Sequence, residues 1–294
     1  MSLVTILTPT YNRVHTLPNL YKSLCTQSDN NFEWLIVDDG STDETEQLCK
    51  SFIEKASFTV KYIKKANGGK HTALNVGIGK ISSVLTMIVD SDDELTPDAI
   101  EMIGLYYNKY KENKQIGCFS FLRCDKNGRA IVGLEKNEFI DSYIEYRIKK
   151  EHPGDMAEVF FTNILKRYPF PEFTGERFLS EDVVWIEIGK KYKYCFINKS
   201  IYICEYLQGG LTANDKPMKF ASPLGSMMRG KQLMSEECGL KINIKGAIIY
   251  NCYKNNKVGN LPDKLKIQSF REKFLIFITI FPSRIYRSVW KKKG

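Results

Sequence analysis

The chain has 294 residues and an apolar fraction of 43%, enough to bury the core of one large domain or of a domain with a substantial appendage. Its formal net charge of +9 is local, because residues 264–294 carry nine Lys/Arg against the single acid Glu272; a nearly neutral body argues against a nucleic-acid-binding surface. Eight scattered cysteines without a Cys-x-x-Cys pair, a start that passes directly into a strand pattern, and a longest apolar run of Phe274 to Phe281 predict reduced thiols, no export signal and no segment near the ~20 residues of a membrane span.

Val4-Thr5-Ile6-Leu7-Thr8 reads as a buried strand that stops at Pro9-Thr10-Tyr11-Asn12-Arg13. Leu17, Leu20, Tyr21 and Leu24 recur at helical spacing. A second strand, Phe32 to Val37, runs into Asp38-Asp39-Gly40-Ser41-Thr42, where Ser41 or Thr42 is placed to cap a helix with Asp43, Glu44 and Glu46 in its first turn. Phe58 to Ile63 is a third strand, and the Gly68-Gly69 turn leads into a helix from Lys70. The fourth strand, starting at Val84, ends in Asp90-Ser91-Asp92-Asp93-Glu94; a helix from Pro97 to about Asn113 and a strand from Gly117 to Leu122 follow. Alternation of this kind predicts an α/β fold whose mostly parallel sheet is covered by helices and binds ligands at the carboxyl ends of its strands.

From Asp125 to Arg177 the pattern loosens, with a strand expected at Met156 to Thr162 and a rigid turn at Tyr168-Pro169-Phe170-Pro171. Ser180-Glu181-Asp182 opens a helix, Tyr194 to Tyr206 is strand-like, and beyond Gly209-Gly210 helical segments are broken by Pro217, Pro223, Gly239 and Pro262. The expected organisation is an α/β domain over 1–207, a helical extension over 208–263 and a basic amphipathic tail over 264–294.

Four carboxylates within Asp90–Glu94 repel one another and raise their own pKa values unless a cation shares the site, and oxygen-only donors favour Mg²⁺ or Mn²⁺. Capping of the helix that starts at Thr96-Pro97-Asp98 is the simpler reading of these acids. What favours a metal site is coincidence: Pro9-Thr10-Tyr11, Asp38-Asp39 and Asp90-Ser91-Asp92 all fall at strand ends that such a sheet would bring to one rim.

In that order, Thr8-Pro9-Thr10-Tyr11-Asn12, Val37-Asp38-Asp39-Gly40-Ser41, Asn67-Gly68-Gly69 through Asn75-Val76-Gly77, Asp90-Ser91-Asp92-Asp93 and Ser180-Glu181-Asp182 resemble the motifs of family 2 inverting glycosyltransferases with the GT-A fold. The resemblance covers roughly residues 3–207. It implies a nucleotide-sugar donor, with a UDP-sugar expected, whose uracil is held by Pro9, Tyr11 and Asp39. It further implies Asp90 and Ser91 beside the ribose and phosphate, Asp92 as a ligand of Mn²⁺ or Mg²⁺, and Asp182, with Glu181 as its neighbour, as the base that takes the acceptor's proton. Lys70 stands where a cation could meet phosphate, although a solvated lysine is the commoner outcome. The implied acceptor is a glycan or lipid-linked hydroxyl in surface-polysaccharide assembly.

One departure concerns the metal: such enzymes often supply a later histidine, yet the chain has only His15, His71 and His152, leaving Gln208, water or the diphosphate to complete coordination. A dinucleotide oxidoreductase is excluded by the absence of Gly-x-Gly-x-x-Gly after the first strand, and no phosphate-binding Gly-x-x-x-x-Gly-Lys-Ser/Thr loop exists. A nucleotide-sugar hydrolase, a nucleotidyltransferase or a non-catalytic carbohydrate-binding protein of the same fold are the alternatives. In the tail, Phe270, Phe274, Phe277, Ile278 and Phe281 recur at helical steps beside Arg271, Lys273, Arg284 and Arg287, the composition of a helix lying on an anionic membrane surface. The expected location is cytoplasmic, peripheral on the inner face of the membrane; the competing reading packs the stripe on the domain.

Overall fold

In the computed structural model, which describes residues 2–152, 154–204, 215–254 and 261–292, the chain forms two compact units that interleave in sequence. The first comprises Met1–Ser142, Pro153–Pro169 and Lys191–Glu205; the second comprises Tyr143–His152, Phe170–Lys190 and Tyr206–Gly294. A reading by continuous segments cannot see a chain that leaves a unit and returns, which is why it assigns 143–152 and 170–190 to the α/β domain.

The first unit begins with β1 (Val4–Thr10), α1 (Leu17–Cys25), β2 (Phe32–Asp38), α2 (Thr45–Lys55), β3 (Thr59–Lys64), α3 (Lys70–Lys80) and β4 (Leu85–Ile88). It continues through β5 (Glu94–Leu95), α4 (Ala99–Tyr110), β6 (Ile116–Cys124), β7 (Glu138–Ser142), β8 (Met156–Phe161), α5 (Thr162–Leu165) and, after the excursion, β9 (Lys193–Ile203). Every residue of β1 and β2 is buried, as strands covered on both faces require. The sheet order is β3-β2-β1-β4-β8-β6-β9-β5, with β7 also on β9. β3, β2, β1 and β4 are parallel, whereas β8 runs antiparallel to β4 and β6, and β5 and β7 run antiparallel to β9. The parallel expectation thus holds for the half that carries the rim. Beyond it the loosened sequence has no crossover helix between β6 and β8, so the chain returns antiparallel.

The second unit contains a π-helical turn at Ile144–Lys149, then α6 (Asp182–Gly189), α7 (Asp215–Ala221), α8 (Pro223–Leu233), α9 (Gly239–Lys254), α10 (Phe270–Ile278) and α11 (Ile280–Lys292). α8 and α9 meet backbone on backbone: a Cβ on Gly230 would lie 2.7 Å from the Tyr250 amide nitrogen and 2.8 Å from the Gly246 carbonyl oxygen. Gly230→Ala is therefore expected to force the helices apart and cost ~1–3 kcal/mol, read as a fall in the thermal midpoint. An unchanged midpoint would mean that the pair tolerates separation.

The tail breaks at Thr279, so that Pro282 falls in the first turn of α11, where a missing N–H costs little. Leu275, Ile276, Thr279 and Ser283 are buried, and Asn251 of α9 donates to the Ile276 carbonyl (2.8 Å) and the Thr279 hydroxyl (3.0 Å). The phenylalanine stripe faces the other way, with Phe270, Phe277 and Phe281 86%, 71% and 71% exposed. The tail is apolar on two faces, and only one of them is covered.

Candidate active site

In the first unit, β1 lies between β2 and β4 in parallel register, so Tyr11, Asp39 and Asp90 leave the sheet at the same edge. Asn12, with φ of 52°, turns the chain after Tyr11. It also stitches two loops together: its N–H donates to Ser41 Oγ (2.8 Å), and its Oδ1 accepts the Thr42 N–H (2.8 Å). Pro9 lies near the end of the buried strand, and Tyr11 stands 45% exposed.

The two acids at the end of β2 have different partners. Asp38 is fully buried and structural, accepting the Ser41 N–H (2.7 Å) and the Tyr62 hydroxyl (2.6 Å); burial, then that carboxylate, pushes the Tyr62 phenol up. Asp39 accepts from Lys65 Nζ (2.7 Å), the Gly68 N–H (2.9 Å) and the Gly69 N–H (2.7 Å). It thereby pins the turn at Gly69, whose φ of 96° suits glycine. A carboxylate offers about four lone-pair directions, so roughly one remains for the uracil imide expected of it.

After β4, Asp90 pairs with Lys70 at 2.5 Å. Burial works against its charge, but Lys70, Arg123 and Arg13 outweigh it and hold the Asp90 carboxyl below its usual range. Asp92 faces Arg13 at 3.8 Å and keeps about a third of its side chain exposed. Ser91, between them in sequence, is buried. Tyr202 of β9 locks the loop from behind: its oxygen accepts the Asp90 N–H (3.0 Å), and its hydroxyl donates to Asp93 Oδ2 (2.7 Å). The Arg123 guanidinium stacks 4.3 Å above the Tyr202 ring. Asp93 is buried, and desolvation, followed by the Asp90 charge, pushes its carboxyl up to about 7.

Among the described residues no three His, Cys, Asp or Glu side chains converge on one point. The donors fit a divalent ion in another way, since Mg²⁺-type sites commonly rest on one or two carboxylates with phosphate and water completing the shell. Asp90 and Asp92 are two such carboxylates, and each already faces a cation, Lys70 or Arg13. Gln208 lies outside the described residues.

Glu181 and Asp182 belong to the second unit, at the start of α6. The Asp182 carboxylate accepts from Ser180 Oγ (2.6 Å) and from Arg229 Nε of α8 (2.6 Å). It is held on both oxygens, which is more than a helix cap requires. The sequence-level candidates in the first unit, Pro9, Tyr11, Asp39, Lys70, Asp90, Ser91 and Asp92, share one sheet edge. Sequence reasoning misses Arg13, Lys65, Arg123 and Tyr202; only Arg123, a lone charge in an otherwise uncharged strand, leaves a trace in the sequence.

Residues 5–172 match the family described as Glycosyl transferase family 2. The chain belongs to that family. As a family 2 glycosyltransferase it is 32% identical over 202 residues to "Glycosyltransferase GlyA" of Streptococcus pneumoniae, covering 68% of this chain and 28% of GlyA. It is 26% identical over 295 residues to a Rickettsia conorii glycosyltransferase, covering 94% of this chain and 48% of that one. It therefore spans less than half the length of both. Among solved structures, TarS 1-349 of S. aureus in complex with UDP-GlcNAc has a TM-score of 0.66 at 17% identity, over 99% of this chain and 92% of that one. A mannosyltransferase from Pyrobaculum calidifontis in complex with GDP-Man and Mn²⁺ has a TM-score of 0.59 at 14% identity, over 99% and 84%. The family 2 glycosyltransferase shares their GT-A fold.

Proposed function

We propose that the chain is a metal-dependent inverting glycosyltransferase that moves a sugar from a UDP-sugar to a hydroxyl of a glycan or lipid-linked acceptor in surface-polysaccharide assembly. The observation that carries this reading is the single sheet edge bearing Tyr11, Asp39, Asp90 and Asp92. The nucleotide-sugar complexes of the two structural neighbours support it.

Tyr11 offers an exposed ring to the uracil, beside Pro9, and Asp39 accepts its imide hydrogen. Asp92, with Asp90 beside it, would hold Mn²⁺ or Mg²⁺, which when bound neutralises the negative charge that builds on the departing diphosphate. Lys70 and Arg13 must then release these carboxylates, and both cations are placed to meet phosphate oxygens instead. Asp182 takes the acceptor hydroxyl's proton as the new bond to the sugar carbon forms. Displacement in a single step, with the nucleoside diphosphate leaving from the opposite face, inverts the anomeric centre. A donor screen by thermal shift tests the reading: with Mn²⁺, the correct UDP-sugar at a hundred times its dissociation constant should stabilise by ~2.7 kcal/mol. No shift with any nucleotide sugar would contradict it.

Peripheral binding at an anionic membrane surface, on the cytoplasmic face, follows from the same reading. No helix among the described residues is long and apolar enough to cross a membrane, and the exposed Phe277 and Phe281 lie in a segment carrying Arg271, Lys273, Arg284 and Arg287. Each basic residue near such a surface adds ~1 kcal/mol. Truncating the tail would strip the covered face of α9, so point changes are the cleaner probe. The protein should sediment with anionic vesicles at low salt, and Phe277→Ser with Phe281→Ser should weaken this ~10²-fold, each phenyl contributing ~1.5 kcal/mol or more. Equal sedimentation of the double variant would leave the tail with no membrane role.

A further inference from the structure

Asp90, Ser91, Asp92 and Asp93 form one turn, closed by the Asp93 N–H donating to the Asp90 carbonyl oxygen (3.2 Å). Asp92 stands at its third position, so the aim of its carboxylate depends on how the two ends of the turn are held. One phenol holds both. The Tyr202 oxygen accepts the Asp90 N–H (3.0 Å) at the start of the turn, and its hydroxyl donates to Asp93 Oδ2 (2.7 Å) at the end. The phenol is itself fixed from several sides: Tyr202 is 1% exposed, its backbone pairs with Arg123 of β6 and Leu95 of β5, and the Arg123 guanidinium lies on its ring. Arg123 is anchored in turn, its Nε donating to the Met156 carbonyl oxygen of β8 (2.9 Å). Three strands thus converge, through one hydroxyl, on the turn that presents Asp92.

We infer that Tyr202 is the positioning residue of the metal site: by holding both ends of this turn it fixes the spacing of the Asp90 and Asp92 carboxylates, and so makes the site prefer a small ion such as Mg²⁺ to Ca²⁺. The inference rests on the reading of Asp92 as a metal ligand and deepens it, because it adds a source of ion selectivity. Mg²⁺ demands near-ideal octahedral geometry at about 2.0–2.1 Å, whereas Ca²⁺ accepts irregular shells at about 2.3–2.6 Å. Loosening the turn therefore costs the smaller ion more. Residues that orient metal ligands without touching the metal commonly carry ~10–100-fold of its affinity.

Tyr202→Phe keeps the ring and its Arg123 stack and removes only the hydroxyl. UDP is titrated calorimetrically against the full chain with saturating Mg²⁺, with saturating Ca²⁺ and with EDTA. The variant is expected to lose ~10-fold or more of the Mg²⁺-supported affinity, distinctly less of the Ca²⁺-supported affinity, and none of the affinity in EDTA. Because the variant strands a buried carboxylate, Tyr202→Phe with Asp93→Leu is measured beside it: making both partners apolar removes that folding penalty, while the Asp90 N–H stays unheld. The double variant should regain the thermal midpoint and keep the loss of Mg²⁺ preference. Equal losses with both ions, an unchanged Mg²⁺-to-Ca²⁺ ratio, or recovery of that ratio together with the midpoint overturns the inference and leaves Tyr202 a purely structural residue. UDP binding by the unaltered protein that ignores every divalent ion would instead strike the metal-dependent reading, and the positioning role with it.

Discussion

Replacing Asp182 with asparagine is expected to lower turnover by ~10²-fold or more while leaving UDP-sugar affinity unchanged. The amide keeps the shape and one acceptor oxygen, so either the Ser180 or the Arg229 hydrogen bond can persist, but it cannot accept a proton at neutral pH. Arg229 would lose its counter-charge; with 29% of its side chain exposed, water compensates in part, and the thermal midpoint should move little. A loss of ~10²-fold corresponds to ~2.7 kcal/mol of transition-state stabilisation. Single-turnover kinetics beside a donor titration separate the outcomes. If affinity and turnover fall together, Asp182 is a binding or structural residue.

Asp92→Asn is expected to abolish Mn²⁺-dependent UDP binding and to leave stability almost untouched. Its ion pair with Arg13, at 3.8 Å, is long and partly exposed, and such pairs contribute ~0–1 kcal/mol. The carboxylate's loss costs function much more, because an amide holds a divalent cation far less well than a full negative charge. Asp39 makes the contrast: there the same change would unbalance a half-buried Lys65 pair and two backbone N–H bonds, and the fold would suffer with the function. Calorimetric titration of UDP with Mn²⁺ reads the Asp92 variant, and unchanged affinity would remove Asp92 from the metal site.

The rim is legible in the sequence because its signal is local. Val4–Thr10 and Phe32–Asp38 are apolar runs that end abruptly in proline, tyrosine or paired acids, and a parallel sheet must gather such ends on one edge. The partners of those acids are not legible, because pairing is a tertiary event: Tyr202 reaches Asp93 across 109 residues, and Arg229 reaches Asp182 across 47. Neither Tyr202, in an aromatic strand, nor Arg229, in a mixed helix, differs from its surroundings in sequence. The antiparallel return of β8 and the interleaving of the two units escape for the same reason. Hydrophobic pattern fixes which face of an element is covered, not which element covers it. Even the face can mislead where two are apolar: the tail's periodicity marks Phe270, Phe277 and Phe281, yet the covered face is the one through Leu275, Ile276 and Thr279.

The most direct test of the central claim is transfer itself. The protein is incubated with a panel of radiolabelled UDP-sugars and Mn²⁺, with and without acceptor extract, and label is followed in acceptor, free sugar and nucleotide sugar. For a metal-dependent transferase, label from one donor appears in the acceptor fraction, both Mn²⁺ and acceptor are required, and Asp182→Asn suppresses the transfer. Release of free sugar at the same rate with and without acceptor, or retention of all label on the nucleotide, would contradict it.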